Sequence, residues 1–174
     1  MNIGFDLDGV LYPWQEVIHQ YCLDHNLTTD KDPKKFWTVW AGDHEDILAN
    51  LVLISEFYHR SAPYAGVINM LNRLKEKYTI YYITGRPEIL KGDTFKYLTE
   101  WDFPDATNIY FAKNKARAIQ HLEIHSYVED RIELAMSMSL FTKTFLVTRP
   151  YNEAFQVPSN IIRIASALDV ERYL

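Results

Sequence analysis

The chain has 174 residues, of which 48% are hydrophobic, with a net charge of -5 and a single cysteine, Cys22. These values suit one domain with room for an insertion; they exclude a disordered chain, an intrachain disulfide, and any broad electrostatic hold on long nucleic acid or an acidic membrane. The N-terminal residues lack a signal-peptide pattern and no apolar run approaches the ~20 residues that span a bilayer, so the expectation is a cytoplasmic protein with no membrane partner.

Met1 to Phe5 reads as a short buried strand running into Asp6, Leu7, Asp8 and Gly9. Two carboxylates one residue apart repel each other unless something holds them. About sixty residues, Tyr12 to Pro63, then precede the next core helix, with helical patterns over Gln15 to His25, Pro33 to Trp40 and Glu45 to Tyr58. They predict a small helical cap, residues 14–63, inserted into a core of residues 1–13 and 64–174.

The rest alternates. A helix over Ala65 to Lys77, with Val67, Ile68, Leu71 and Leu74 on one face, leads to a strand over Thr79 to Thr84. A helix over Glu88 to Glu100 follows Pro87, a residue favoured in a first helical turn. Strands are then expected at Asn108 to Ala112, Ser126 to Glu129, Thr144 to Thr148 and Asn160 to Ala165. Helices are expected at Lys115 to Leu122, Ile132 to Ser139 and Ala167 to Leu174. This alternation predicts a parallel sheet covered on both faces, three layers in all. Right-handed crossovers put the C-terminal ends of the strands on one edge, where such sheets bind ligands.

The polar residues gather on that edge. Asp6 and Asp8 follow the first strand, Thr84, Gly85 and Arg86 the second, Lys115 the third, and Glu129 and Asp130 the fourth. Each alone has a plain reading as a strand end, a solvated lysine or a helix cap. The six histidines show no pairing at metal-ligand spacing. Lys113 competes with Lys115; the 15 residues from Lys115 to Asp130 suit one helix and one strand.

Together FDLDGVL, ITGR, a lysine and VED resemble the four motifs of the haloacid dehalogenase (HAD) superfamily of phosphohydrolases, spanning Asp6 to Asp130. The resemblance implies a Rossmann-like three-layer fold with a small helical cap after the first strand. It implies that Asp6 is the nucleophile and forms an aspartyl-phosphate. Asp8 is then the general acid and base, on the same side of the strand as Asp6. Thr84 and Gly85 bind the phosphoryl oxygens, and Lys115, preferred also for its place in the "KA" that opens a helix, offsets their charge. Mg²⁺ is the implied cofactor, held by Asp6, Asp130 and the backbone carbonyl of Asp8. Glu129 supports that metal site, and Arg86 is a structural residue able to pair with an acid near the edge.

The insertion's length and place, the stretch APYAGVINMLNRLKEKYTIYYITGRP and the segment TRPYNEAF resemble the 5'(3')-deoxyribonucleotidase branch. The Pro63-to-Gly66 spacing is tighter by one than in that branch, and Thr84-Gly85-Arg86 is closer to generic phosphatases. The implied partner is a small phosphorylated substrate, a nucleotide first, with sugar phosphates, small metabolites and nucleic-acid 3'-phosphates as alternatives. Trp14, at the entry to the cap, and Trp37 and Trp40 within it are candidates to stack on a base, although Phe36 and Trp40 share a helix face as core residues do. A receiver-type phosphoacceptor is disfavoured by the DLDG run and the insertion, and a silent binding protein by the filled catalytic positions. Oligomeric state has no signature in the sequence.

Overall fold

Apolar NIGF forms β1 (Asn2–Phe5), with Ile3 and Phe5 fully buried, in a computed structural model that describes residues 1–174 apart from Val52 and Arg60. The chain then leaves the sheet through a tight turn in which Leu7 O accepts the N–H groups of Val10, Leu11 and Tyr12. Gly9 takes φ +77° there, and a Cβ on it would lie 2.1 Å from Asp130 Oδ2, so both conformation and space require glycine.

A run of helices follows: α1 (Trp14–Asp24), α2 (Pro33–Lys35), a π-helical turn (Phe36–Trp40), α3 (Ala41–Asp43), α4 (Glu45–Leu51) and a 3₁₀ turn (Ser55–Tyr58). Two of the expected helices are broken. The one over Pro33 to Trp40 widens into π geometry, which brings Phe36 and Trp40 into a stack 4.7 Å apart and sets Phe36 4.4 Å from His19. The one over Glu45 to Tyr58 ends at Leu51 and resumes as the 3₁₀ turn that carries Phe57 and Tyr58; Val52, between them, lies outside the described residues. Ile18, Cys22, Phe36, Leu51 and Phe57 form an apolar cluster proper to this segment.

Alternation then holds: α5 (Val67–Lys75), β2 (Thr79–Thr84), α6 (Lys91–Glu100, preceded by a 3₁₀ turn), β3 (Ile109–Phe111), α7 (Lys115–His121), β4 (Ile124–Glu129), α8 (Ile132–Met138), β5 (Lys143–Val147) and β6 (Ile161–Ile164). The expected C-terminal helix is a 3₁₀ turn (Ala167–Arg172), fixed by a capping box between Ser166 and Asp169. Among the described residues, the six strands form one all-parallel sheet in the order β3-β2-β1-β4-β5-β6.

Strand periodicity sorts the side chains. Ile80 and Tyr82 join the cluster under α5 and α6, while Ile83 joins Ile119, Tyr127 and Met138 under α7 and α8. Helices thus cover both faces of a Rossmann-like sheet. The strand order reverses between β1 and β4, and a crevice opens at that point beyond their carboxyl ends.

Candidate active site

Asp6 is the first residue beyond β1, and its N–H donates to Val128 O at 2.9 Å, which ties it to β4. Its carboxylate Oδ1 accepts the Leu7 N–H at 2.8 Å, and Oδ2 lies 2.7 Å from Lys115 Nζ. Lys115 opens α7 behind the N-cap Asn114, and its side chain is 4% exposed. A cation at a helix N-terminus is disfavoured by the helix dipole, so the carboxylates must hold it there. Glu129, the last residue of β4, does so from the other side at 3.0 Å through Oε2. Its Oε1 accepts the N–H groups of Asp130 and Arg131 at 3.0 and 3.2 Å, so the carboxylate also shapes the turn.

Asp130 sits beside Asp6 across the switch point. Its Oδ2 accepts from Gln15 Nε2 at 3.0 Å and from the Tyr151 hydroxyl. Asn152 Nδ2 donates to Asp130 O at 2.6 Å and to Val147 O at 2.8 Å, clamping the loop after β4 to the end of β5. Arg149 Nε donates to Gly9 O at 2.6 Å and fastens the turn after β1 in the same way.

Asp8 has a different partner. Arg86 Nε donates to Asp8 Oδ2 at 2.9 Å and Nη2 donates to Oδ1 at 2.5 Å, a bidentate pair. The Arg86 guanidinium also donates to Thr94 Oγ1 at 3.3 Å and lies 4.2 Å from the ring centre of Tyr58.

One oxygen from each of Asp6, Glu129 and Asp130 lies within 4.8 Å of the others, all three residues being buried. The Lys115 ammonium pairs with two of them, Asp6 and Glu129. Burial pushes the Asp6 carboxyl up to about 8, against the pull of Lys115 and with Glu129 and Asp8 adding to the rise. Burial likewise raises Glu129 and Asp130. Burial opposes the charge on Lys115, but Asp6 and Glu129 outweigh it and hold the ammonium well above an ordinary lysine. Excess negative charge on oxygen donors, with no sulfur or imidazole among them, fits a hard divalent cation such as Mg²⁺.

These groups open on a cavity of about 300 Å³. Asp6, Asp8, Gly85, Arg86, Lys115 and Asp130 line it, and Trp14 and Tyr58 close it from the helical segment. Thr84 is fully buried at the end of β2, and its Oγ1 accepts the Arg86 N–H at 3.1 Å. Lys113 is exposed and lies outside the cluster.

Trp37 and Trp40 are not brought to this cavity. Trp40 stacks between Phe36 and His44, with Nε1 donating to Leu27 O at 3.1 Å. Trp37 lines a neighbouring cavity of about 370 Å³ with His19, Lys31 and Tyr151. The π-helical turn stacks Trp40 within its own segment, while Trp37 lies 6.3 Å from the Tyr151 ring after β5, and helical spacing alone does not separate the two.

Gln15 and Tyr58 are absent from the residues expected at the site, while Tyr151 and Asn152 belong to the TRPYNEAF segment (Thr148 to Phe155) that the resemblance places near this edge. Tyr151 and Asn152 follow β5, whose carboxyl end lies on the same edge as the motifs, so the edge rule extends to them. Gln15 and Tyr58 carry no comparable signal, since their place depends on how the insertion folds back.

No family model matches the chain. Curated relatives include a protein of Bacillus cereus named "Putative nucleotidase", 29% identical with 91% of this chain and 92% of that one aligned. Another is a protein of Clostridium acetobutylicum named "Nucleotidase", 23% identical over 94% of this chain and 88% of its own. Among solved structures, a haloacid dehalogenase-like hydrolase from Streptococcus pneumoniae superposes with a TM-score of 0.66 at 20% identity, covering 99% of this chain and 97% of that one. A HAD family hydrolase from Deinococcus radiodurans, solved with bound phosphate and sodium, gives 0.65 at 14% identity, covering 98% and 93%. The fold is therefore that of the haloacid dehalogenase-like hydrolases.

Proposed function

We propose that the chain is a HAD-superfamily phosphomonoester hydrolase that works through an aspartyl-phosphate and acts on (deoxy)nucleoside monophosphates. One observation carries the reading: Asp6, Glu129 and Asp130 are buried together at the switch point of the sheet, with the Lys115 ammonium paired to Asp6 and Glu129. Buried charge of this kind is costly, and apolar side chains of like volume would hold the fold at least as well. The fold and the names of the relatives support the same class.

In this reading an Asp6 oxygen bonds to phosphorus while the bond to the leaving oxygen breaks, and Asp8 gives that oxygen its proton. Water then bonds to phosphorus, the bond to the Asp6 oxygen breaks, and Asp8 takes the water's proton. Lys115 and Gly85, with the Thr84 hydroxyl behind them, stabilise the phosphoryl oxygens. Asp6, Asp130 and the Asp8 carbonyl are the groups that would hold Mg²⁺, which supplies positive charge to the transferring group. Glu129 keeps Lys115 and the β4 turn in place, and Gln15 and Tyr151 direct Asp130. Residues 14–63 act as the cap, with Trp14 as the ring available to a base in the cavity.

The test is phosphate release by the purified protein with Mg²⁺ on a broad panel that includes p-nitrophenyl phosphate, nucleotides and sugar phosphates. Release from nucleotides above the rest is the expected result. No release from any member overturns the reading, and sugar phosphates favoured at least tenfold in kcat/KM (about 1.4 kcal/mol) overturn the nucleotide assignment.

A further inference from the structure

The catalytic reading leaves Arg86 without a task, yet it is among the most constrained side chains in the molecule. Its side chain is 1% exposed. Two of its nitrogens grip Asp8 at 2.9 and 2.5 Å, and a third reaches Thr94 Oγ1 at 3.3 Å. Tyr58 faces its guanidinium at 4.2 Å and Tyr12 at 5.4 Å. Tyr58 belongs to the helical segment, and Tyr12 to the turn that leads into it.

A planar fork fixes both the position and the plane of the carboxylate it pairs with, which a point-charge lysine does not. Buried as it is, Arg86 reaches the reaction through Asp8. The Lys115 ammonium lies 2.7 Å from Asp6 and 3.0 Å from Glu129, so the two cations divide the acids between them. Lys115 keeps the nucleophile's side of the cavity, and Arg86 keeps the proton carrier.

We propose that Arg86 is the positioning residue that aims Asp8 at the leaving oxygen, and that Tyr58 seats Arg86, so that the placement of the helical segment governs proton transfer. The proposal rests on the phosphohydrolase reading above. Its chemical consequence is selective. An alkoxide leaving from a nucleoside or glycerol phosphate needs the proton from Asp8, whereas p-nitrophenolate departs without one. Because kcat/KM covers events up to the first irreversible step, formation of the phosphoenzyme, it separates the two leaving groups.

The experiment compares wild type, Arg86→Lys and Tyr58→Leu with Mg²⁺ on p-nitrophenyl phosphate, glycerol phosphate and a nucleoside 5'-monophosphate. For Arg86→Lys, kcat/KM on the two alkyl substrates falls ~100-fold and that on p-nitrophenyl phosphate holds within a few-fold. Tyr58→Leu moves the same ratio in the same direction, by ~10-fold. It decides the matter if Arg86→Lys does not fold. An equal fall across all substrates means that Arg86 is a structural residue and overturns the proposal, as does a ratio that does not move. A wild-type chain inactive on all three substrates instead overturns the phosphohydrolase reading, and the proposal with it.

Discussion

The sheet edge and the helical segment that closes over it are buried by opposite means. At the edge, Asp6, Arg86, Lys115, Glu129 and Asp130 are almost inaccessible yet ionisable, and each is held by specific partners at hydrogen-bond distance. In the segment, Ile18, Cys22, Phe36, Leu51 and Phe57 are buried because they are apolar, and ring stacking sets their geometry. The first arrangement costs desolvation free energy and yields a reactive centre; the second stabilises without chemistry. Trp14 and Tyr58 are where the two meet, since both line the cavity from the apolar side.

Substitutions can break that contrast, beginning with Asp6, the proposed nucleophile. Asp6→Asn is expected to lower phosphate release about 10⁴-fold or more while the fold persists, as read by circular dichroism; a wild-type rate would place the nucleophile elsewhere. Lys115→Met leaves buried carboxylates without their cation and is expected to cost about 3–5 kcal/mol in urea denaturation. Lys113→Met, on an exposed side chain, should lie within about 0.5 kcal/mol of wild type. Equal effects at the two lysines would dissolve the proposed role of Lys115.

The segment is expected to respond differently. Trp40→Ala removes a ring stacked on two neighbours and should cost about 3 kcal/mol of stability with KM unchanged. Trp14→Ala should raise KM for a nucleotide about tenfold, within the range for base–aromatic stacking, with little change for p-nitrophenyl phosphate. A KM effect at Trp40 and none at Trp14 would reverse the assignment of the two rings.

The last expected effect is on pH dependence. The folded Asp6 carboxyl is pushed from 3.8 up to about 8 by burial, so between those values the folded state binds more protons than the unfolded one. Its contribution to stability is therefore full below about 4 and is lost as pH rises through about 8. In metal-free buffer the melting temperature should drift down from pH 5 to pH 8, and Mg²⁺ should raise it more at pH 8 than at pH 5. A metal effect equal at both pH values would argue that the cation binds away from Asp6.

The same contrast explains what could be read in advance. Six strands, their parallel pairing and the edge carrying Asp6, Thr84, Lys115 and Asp130 follow from β-branched and aromatic runs alternating with amphipathic helices, because strand ends and crossover hand leave little freedom. The pairing of Arg86 with Asp8 in particular is tertiary: 78 residues separate them, and no spacing rule foretells the fork. Within the helical segment, Phe36, Trp37 and Trp40 satisfy helical periodicity equally as core or as ligand contact. The π-helical turn over Phe36–Trp40 stacks Trp40 on Phe36, a geometry that a linear pattern does not encode. Gln15 reaches Asp130 from 115 residues away and so escaped the motif reading, whereas Tyr151 lies in the TRPYNEAF segment that the resemblance sets near the edge.

The position of β1 at the middle of the sheet also has a kinetic meaning. Its neighbours β2 and β4 begin at Thr79 and Ile124, so β1 must wait for its second partner while more than a hundred residues are made. At roughly 5–20 residues per second that is on the order of ten seconds with the β4 side of NIGF unpaired. A nascent chain ending at Thr84 already holds the aspartate pair and the threonine, but neither the lysine nor the acid of the last motif. The full set of edge residues is thus assembled late, once the distant strand has docked.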